Sequence, residues 1–204
     1  MVSHFVIPRD MKSVSLLLLA ASALMAGASL PAPAPAPSPS AVKILGLFDR
    51  LRDTSQAHRV AFSLSESEIN EYLRYALKTT PRPGVDSVTV KFFSQDYIST
   101  FTTVDFDALA KWQPGAIPAA LRPVLNGKKS IWLDCRVHTG AAGLAFHVEK
   151  ARYNDIPLPA FFVEKMIQIV AARQPEKYDT SHPIPLPFGL QKLSTGEHLI
   201  EGHN

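Results

Sequence analysis

The chain has 204 residues, 46% of them hydrophobic and 19% charged, with 21 basic against 18 acidic residues and one cysteine. A single cysteine excludes an internal disulfide framework, so stability must come from a hydrophobic core, for which the length suffices. The longest lysine/arginine run is Lys128-Lys129, which excludes the clustered basic footprint of a nucleic-acid binder and leaves a membrane surface open as a partner.

Residues 1–28 read as a signal peptide. Met11-Lys12 gives a basic start and an alternative initiation point, Ser15-Leu16-Leu17-Leu18-Leu19-Ala20-Ala21 a short apolar run, and Ala26-Gly27-Ala28 a small-x-small cleavage signal. The competing reading, a retained anchor, needs about 20 predominantly apolar residues. The stretch 14–28 is shorter and is diluted by Ser15, Ser22 and Gly27. The expected location is therefore periplasmic or secreted. Residues 29–41 alternate proline and alanine from Pro31 to Pro37 and are expected to form an extended tether. One domain is expected over 42–204.

Apolar residues at Ile44, Leu45, Phe48 and Leu51 have helical spacing, and this amphipathic segment suits packing on the domain or lying on a membrane. A short extended run, residues 59–62, leads to Ser65 with Glu68 three residues on, the pattern of a capping box. The helix that follows places Ile69, Tyr72, Leu73, Ala76 and Leu77 on one face, and Pro81-Arg82-Pro83-Gly84 stops it.

Two strands come next. Val88, Val90 and Phe92 alternate with polar residues, Ser94-Gln95-Asp96 turns the chain, and 97–106 returns as a β-branched run. A short helix is expected over 106–112, then a proline-broken loop. In the second hairpin, turning at 140–143, Val137 faces Phe146 and Cys135 faces Val148, with Arg136 opposite His147 on the polar side. Agreement of both faces supports that register, because a slip of one residue inverts every side chain.

Pro157-Leu158-Pro159 introduces a second helix with an apolar stripe of Phe162, Met166, Ile169 and Val170. Residues 183–188, with prolines at every second position, are expected to be irregular or edge-like. A closing hairpin is expected over 190–200, turning at Ser194-Thr195-Gly196. The fold class is α+β: a bent, mainly antiparallel sheet of about six strands with two principal helices on one face.

No catalytic residue is assigned. The chain lacks a Gly-x-Ser-x-Gly elbow, a His-Glu-x-x-His helix and a phosphate loop. His138 and His147 share a sheet face near Asp134 and Glu149, which a solvated polar face explains as readily as a metal site; no metal or cofactor is assigned. Cys135 sits on the apolar parity, where a thiol is structural and not reactive. The expected site is an apolar groove between helices and sheet lined by Ile69, Tyr72, Leu73, Val90, Phe92, Phe146, Val148, Phe162, Met166 and Ile169.

The order of signals resembles a known family. The run Phe62-Ser63-Leu64-Ser65-Glu66-Ser67-Glu68-Ile69-Asn70-Glu71-Tyr72-Leu73 precedes two hairpins. Asn154-Asp155-Ile156-Pro157-Leu158-Pro159 then opens a helix, and Pro185-Leu186-Pro187-Phe188-Gly189-Leu190 leads to the last hairpin. Over roughly residues 58–202 this is similar to the extracytoplasmic lipid-binding domains of the LmeA and YpmS type. The resemblance implies a helix cradled by a bent sheet, a trough for phospholipid acyl chains, and a structural Asn70 whose amide bonds nearby backbone. It implies no shared catalytic residues. The leading expectation is a non-enzymatic binder of lipid or another apolar ligand. A protein-interaction or assembly factor with a filled core is the alternative, and an enzyme with dispersed residues a third.

Overall fold

In a computed structural model the described residues are 36–53, 59–112, 114–115, 117, 119, 122–140, 143–172 and 182–204, without the side chains of residues 166, 169, 170, 171, 172 and 187. The expected signal peptide and most of the tether lie outside them. The fold is α+β, with a three-stranded and a five-stranded sheet, both antiparallel.

Helix α1 (Pro39–Arg52) starts inside the expected tether. Ser38 accepts the Ala41 N–H as its N-cap and a proline occupies the first turn, a position where a missing N–H costs nothing. Strand β1 (Ala61–Ser65) runs directly into α2 (Glu66–Thr79), and the capping box is complete: Ser65 Oγ accepts from the Glu68 N–H while Glu68 accepts from the Ser65 N–H. Strands β2 (Val85–Phe93) and β3 (Tyr97–Asp105) form the first hairpin, followed by the short helix α3 (Phe106–Trp112).

The second hairpin, β4 (Lys128–Gly140) and β5 (Gly143–Tyr153), has the expected register: Val137 pairs with Phe146, Cys135 with Val148 and Arg136 with His147. A bulge beyond Cys135 moves Asp134 opposite Lys150. Strand β6 (Ile156–Leu158) leads into α4 (Ala160–Ala172). The five-stranded order is β2-β3-β4-β5-β6. Helix α2 packs on β2 and α4 on β5, so both cover the face bearing Val90, Leu133 and Val148.

The closing hairpin, β7 (Lys192–Gly196) and β8 (Leu199–His203), turns at Glu197-His198 and not at Ser194-Thr195-Gly196. Tertiary bonds explain the shift. The Thr195 N–H donates to Asp96 and its hydroxyl to the Phe93 carbonyl, while the His198 N–H donates to the Phe92 carbonyl. These contacts hold residues 194–196 as strand.

Strand β2 is a sheet edge, and an edge leaves backbone donors and acceptors to be satisfied elsewhere. Asn70 takes both free groups of Val90, its amide donating to the carbonyl and its oxygen accepting the N–H, each at 2.8 Å. Glu66 accepts the Phe92 N–H at 3.1 Å. Helix α2 thereby clamps the five-stranded sheet, while β1-β8-β7 continues past its corner. The partner of Asn70 is a strand twenty residues away.

Candidate functional site

The main core gathers around α1 and α2. In α1, Ala41, Ile44, Leu47, Phe48 and Leu51 are buried, and the helix lies against α2 and a 3-10 turn at Pro187–Gly189. Two polar ties run along its seam with α2, from Ser40 to Glu71 and from Lys43 to Glu68 at 2.6 Å. The packing reading of this amphipathic segment is the one the structure adopts.

Within this layer lies an apolar cavity of about 110 Å³. Ile44, Leu47, Phe48 and Leu51 of α1 form one wall, and Ile69, Tyr72 and Leu73 of α2 another. Phe62, Leu64, Leu193 and Ile200 of the three-stranded sheet close the floor. The remaining wall is Leu144 with Pro185, Leu186, Phe188 and Leu190 of the proline-rich segment. The Tyr72 hydroxyl is the only side-chain heteroatom of these lining residues.

The proline-rich wall is held at two points. Leu144 and Ile184 exchange backbone hydrogen bonds at 2.7 Å in both directions. Phe188 sits in the left-handed region at φ 56, uncommon for an aromatic residue. That backbone turns its ring onto Phe48, stacked at 5.5 Å, and under the Arg52 guanidinium at 5.2 Å. Phe48 also meets Tyr72 edge-on at 5.7 Å.

Tyr72 is 3% exposed, and its hydroxyl has no hydrogen-bond partner among the described residues. Burial pushes its pKa up to about 12, while the nearby Arg52 charge opposes that shift. Arg52 Nε is likewise buried and unpartnered, as is His203 Nδ1 on β8. Arg52 Nη1 meets the exposed Asp49 at 3.5 Å.

Of the expected groove residues, Ile69, Tyr72 and Leu73 line the cavity. Val90 and Phe92 are packed core beneath α2. Val148 belongs to a separate cluster under α4, with Leu133, Val163 and Ile167, and half-buried Phe146 touches both clusters. Phe162 does not face the sheet: it is 38% exposed and Phe161 is 75% exposed, while Val163 and Ile167 are each 7% exposed. Apolar residues make up most of this helix, and such a run fixes no phase. The side chains of Met166 and Ile169 lie outside the described set.

The cavity thus lies between α1, α2 and the three-stranded sheet. Its residues from α1 and 185–190 were legible only as an amphipathic helix and a proline ladder. Nothing in their spacing says that they meet.

Cys135 and the polar face of the second hairpin have structural surroundings. Cys135 is half-buried beside the α4 cluster, and burial pushes its thiol up to about 12. His147 contacts Glu164 at 2.9 Å, and Arg136 pairs with Glu149 at 2.8 Å and lies over the Tyr97 ring. Among the described residues no group of three His, Cys, Asp or Glu side chains is placed to hold a metal, and no helix is long and apolar enough to cross a membrane. Comparison with protein-family models, curated proteins and solved structures finds no match to this chain.

Proposed function

We propose that this protein is a non-enzymatic, periplasmic or secreted binding protein that buries a lipid or another apolar ligand in the cavity between α1 and α2. The carrying observation is the cavity itself, walled by aliphatic and aromatic side chains with one hydroxyl. Apolar walls of this kind favour an occupant that takes their surface out of water. An occupant that fills it recovers contacts that the empty protein lacks. The leader-like N-terminus and the resemblance to extracytoplasmic lipid-binding domains of the LmeA and YpmS type support the same reading.

The test is native mass spectrometry with organic extraction on the purified protein, beside a variant in which Leu47→Trp fills the cavity. The expected result is an apolar molecule in stoichiometric amount on the parent protein and none on the folded variant. A clean apo mass, with no thermal stabilisation by any added lipid or alkanol, overturns the reading.

A second reading, a protein-interaction factor, is favoured by Ile156 and Phe161. They flank the β6–α4 junction and are 62% and 75% exposed. Retention of one defined partner by the parent protein, lost in an Ile156→Asp/Phe161→Asp double variant, is its expected signature.

A further inference from the structure

The cavity is too small for an acyl chain. At about 110 Å³ it lies below the roughly 150 Å³ of a dry cavity that accepts benzene, and below the roughly 300 Å³ where ordinary ligand pockets begin. A chain therefore enters only if a wall gives way, and the walls are held very unequally. Helix α1 contributes five buried side chains and is tied to α2 at Ser40–Glu71 and Lys43–Glu68. Helix α2 is clamped to β2 through Asn70 and Glu66. The floor is a continuous antiparallel ladder whose outer strand, β7, is bonded to Thr139 and to the Phe93 carbonyl.

The proline-rich wall is pinned only at its ends. Ile184 exchanges backbone bonds with Leu144, and the Gln191 N–H donates to the His203 carbonyl at 2.9 Å. Between those points residues 185–190 make no backbone hydrogen bond to any other described element, and Pro185 and Pro187 have no N–H to offer. None of their described side chains is fully buried. Beyond the apolar packing of Leu186 and Leu190, the Phe188 ring holds this segment down, stacked on Phe48 and lying under Arg52. It does so from a backbone at φ 56 that an aromatic residue seldom adopts. A segment with few buried contacts and no backbone ties is the first to open.

We propose that residues 185–190 form a hinged strap that lifts from Phe48 to widen the cavity and admit an acyl chain, with the Phe188 ring as its latch. This rests on the apolar-ligand reading and adds how that site opens. Ile184 suits one pivot. Its two bonds to Leu144 are 2.7 Å, and Gly143 lets the root of the strap lie close, since a Cβ there would meet the Ile184 carbonyl at 2.3 Å. Gln191 is the other pivot, two residues after Gly189, whose φ of 67 costs a glycine nothing. The surfaces facing the strap are the apolar walls of α1 and α2, so the widened site stays apolar.

The test is stopped-flow uptake of N-phenyl-1-naphthylamine, an apolar dye that brightens out of water, by the purified full chain. The parent is compared with Phe188→Ala, Phe188→Leu and Ser40→Ala. With strap opening as the slow step, the parent rate is expected to level off as dye concentration rises. An aromatic stack corresponds to roughly twofold to tenfold in population. Phe188→Ala is expected to raise the plateau by that factor and Phe188→Leu by less. Ser40→Ala loosens α1 and not the strap, and is expected to leave the plateau unchanged. Phe188→Leu keeps an apolar side chain while losing the stack, so it carries the comparison if Phe188→Ala folds poorly. A plateau untouched by both Phe188 variants would overturn the strap, and one raised by Ser40→Ala alone would put the entrance at α1. A rate that rises linearly and equally in every protein would overturn any gate and leave the apolar site standing. No uptake by any of the folded proteins would overturn the apolar-ligand reading and the strap together.

Discussion

Asn70 shows how much one side chain holds at this corner of the fold. It satisfies both exposed backbone groups of Val90, so Asn70→Leu leaves a donor and an acceptor stranded under α2. The expected loss is about 2–4 kcal/mol, read by urea denaturation. Tyr72→Phe is expected to act the other way on the ligand-free protein. It removes a buried hydroxyl that has no partner among the described residues, so a thermal melt is expected to show an unchanged or higher midpoint. Gly143 is a third such point. Its φ is +119, and an added Cβ would approach the Ile184 carbonyl to 2.3 Å. Gly143→Ala is therefore expected to break the Leu144–Ile184 bridge and cost more than about 1 kcal/mol.

At the scale of elements, α1 and α4 carry different phasing signals. In α1 polar residues interrupt the stripe, so its buried face could be read from spacing. In α4 apolar residues run through most of the circumference, and among its described side chains Val163 and Ile167 are buried against the sheet. Ile167→Asp is expected to unfold the protein, whereas Phe162→Asp is expected to leave its circular dichroism spectrum and melting midpoint near the parent's. The seam between α1 and α2 is sensitive to acid. The Lys43 hydrogen bond, then the Ser65 N–H, hold Glu68 below the usual carboxylate range, and the Ser40 hydroxyl does the same for Glu71. A depressed carboxylate contributes stability above its unfolded pKa and loses it as pH falls through the folded value. Hydrogen-exchange protection in α1, corrected for the intrinsic amide rate, is therefore expected to fall as pH drops below the usual carboxylate range, before the five-stranded sheet opens, with solvent exposure keeping the effect modest.

Across the whole molecule, both hairpins, the capping box and the pairing of Val137 with Phe146 followed from local rules. Period-2 alternation, turn residues and caps act within a few residues of chain. The cavity obeys no such rule. Its walls come from residues as far apart as Ile44 and Ile200, and its contents depend on which side chains fail to fill the space. From the amino-acid sequence alone came the α+β class, the capping box and the apolar face of α2. Tertiary structure decided that α1 closes over α2, that 185–190 forms the facing wall, and that the Tyr72 hydroxyl is buried without a partner among the described residues. The physical reason is that secondary structure is written in neighbouring residues, whereas a void and an unsatisfied donor are defined by what distant segments do not reach.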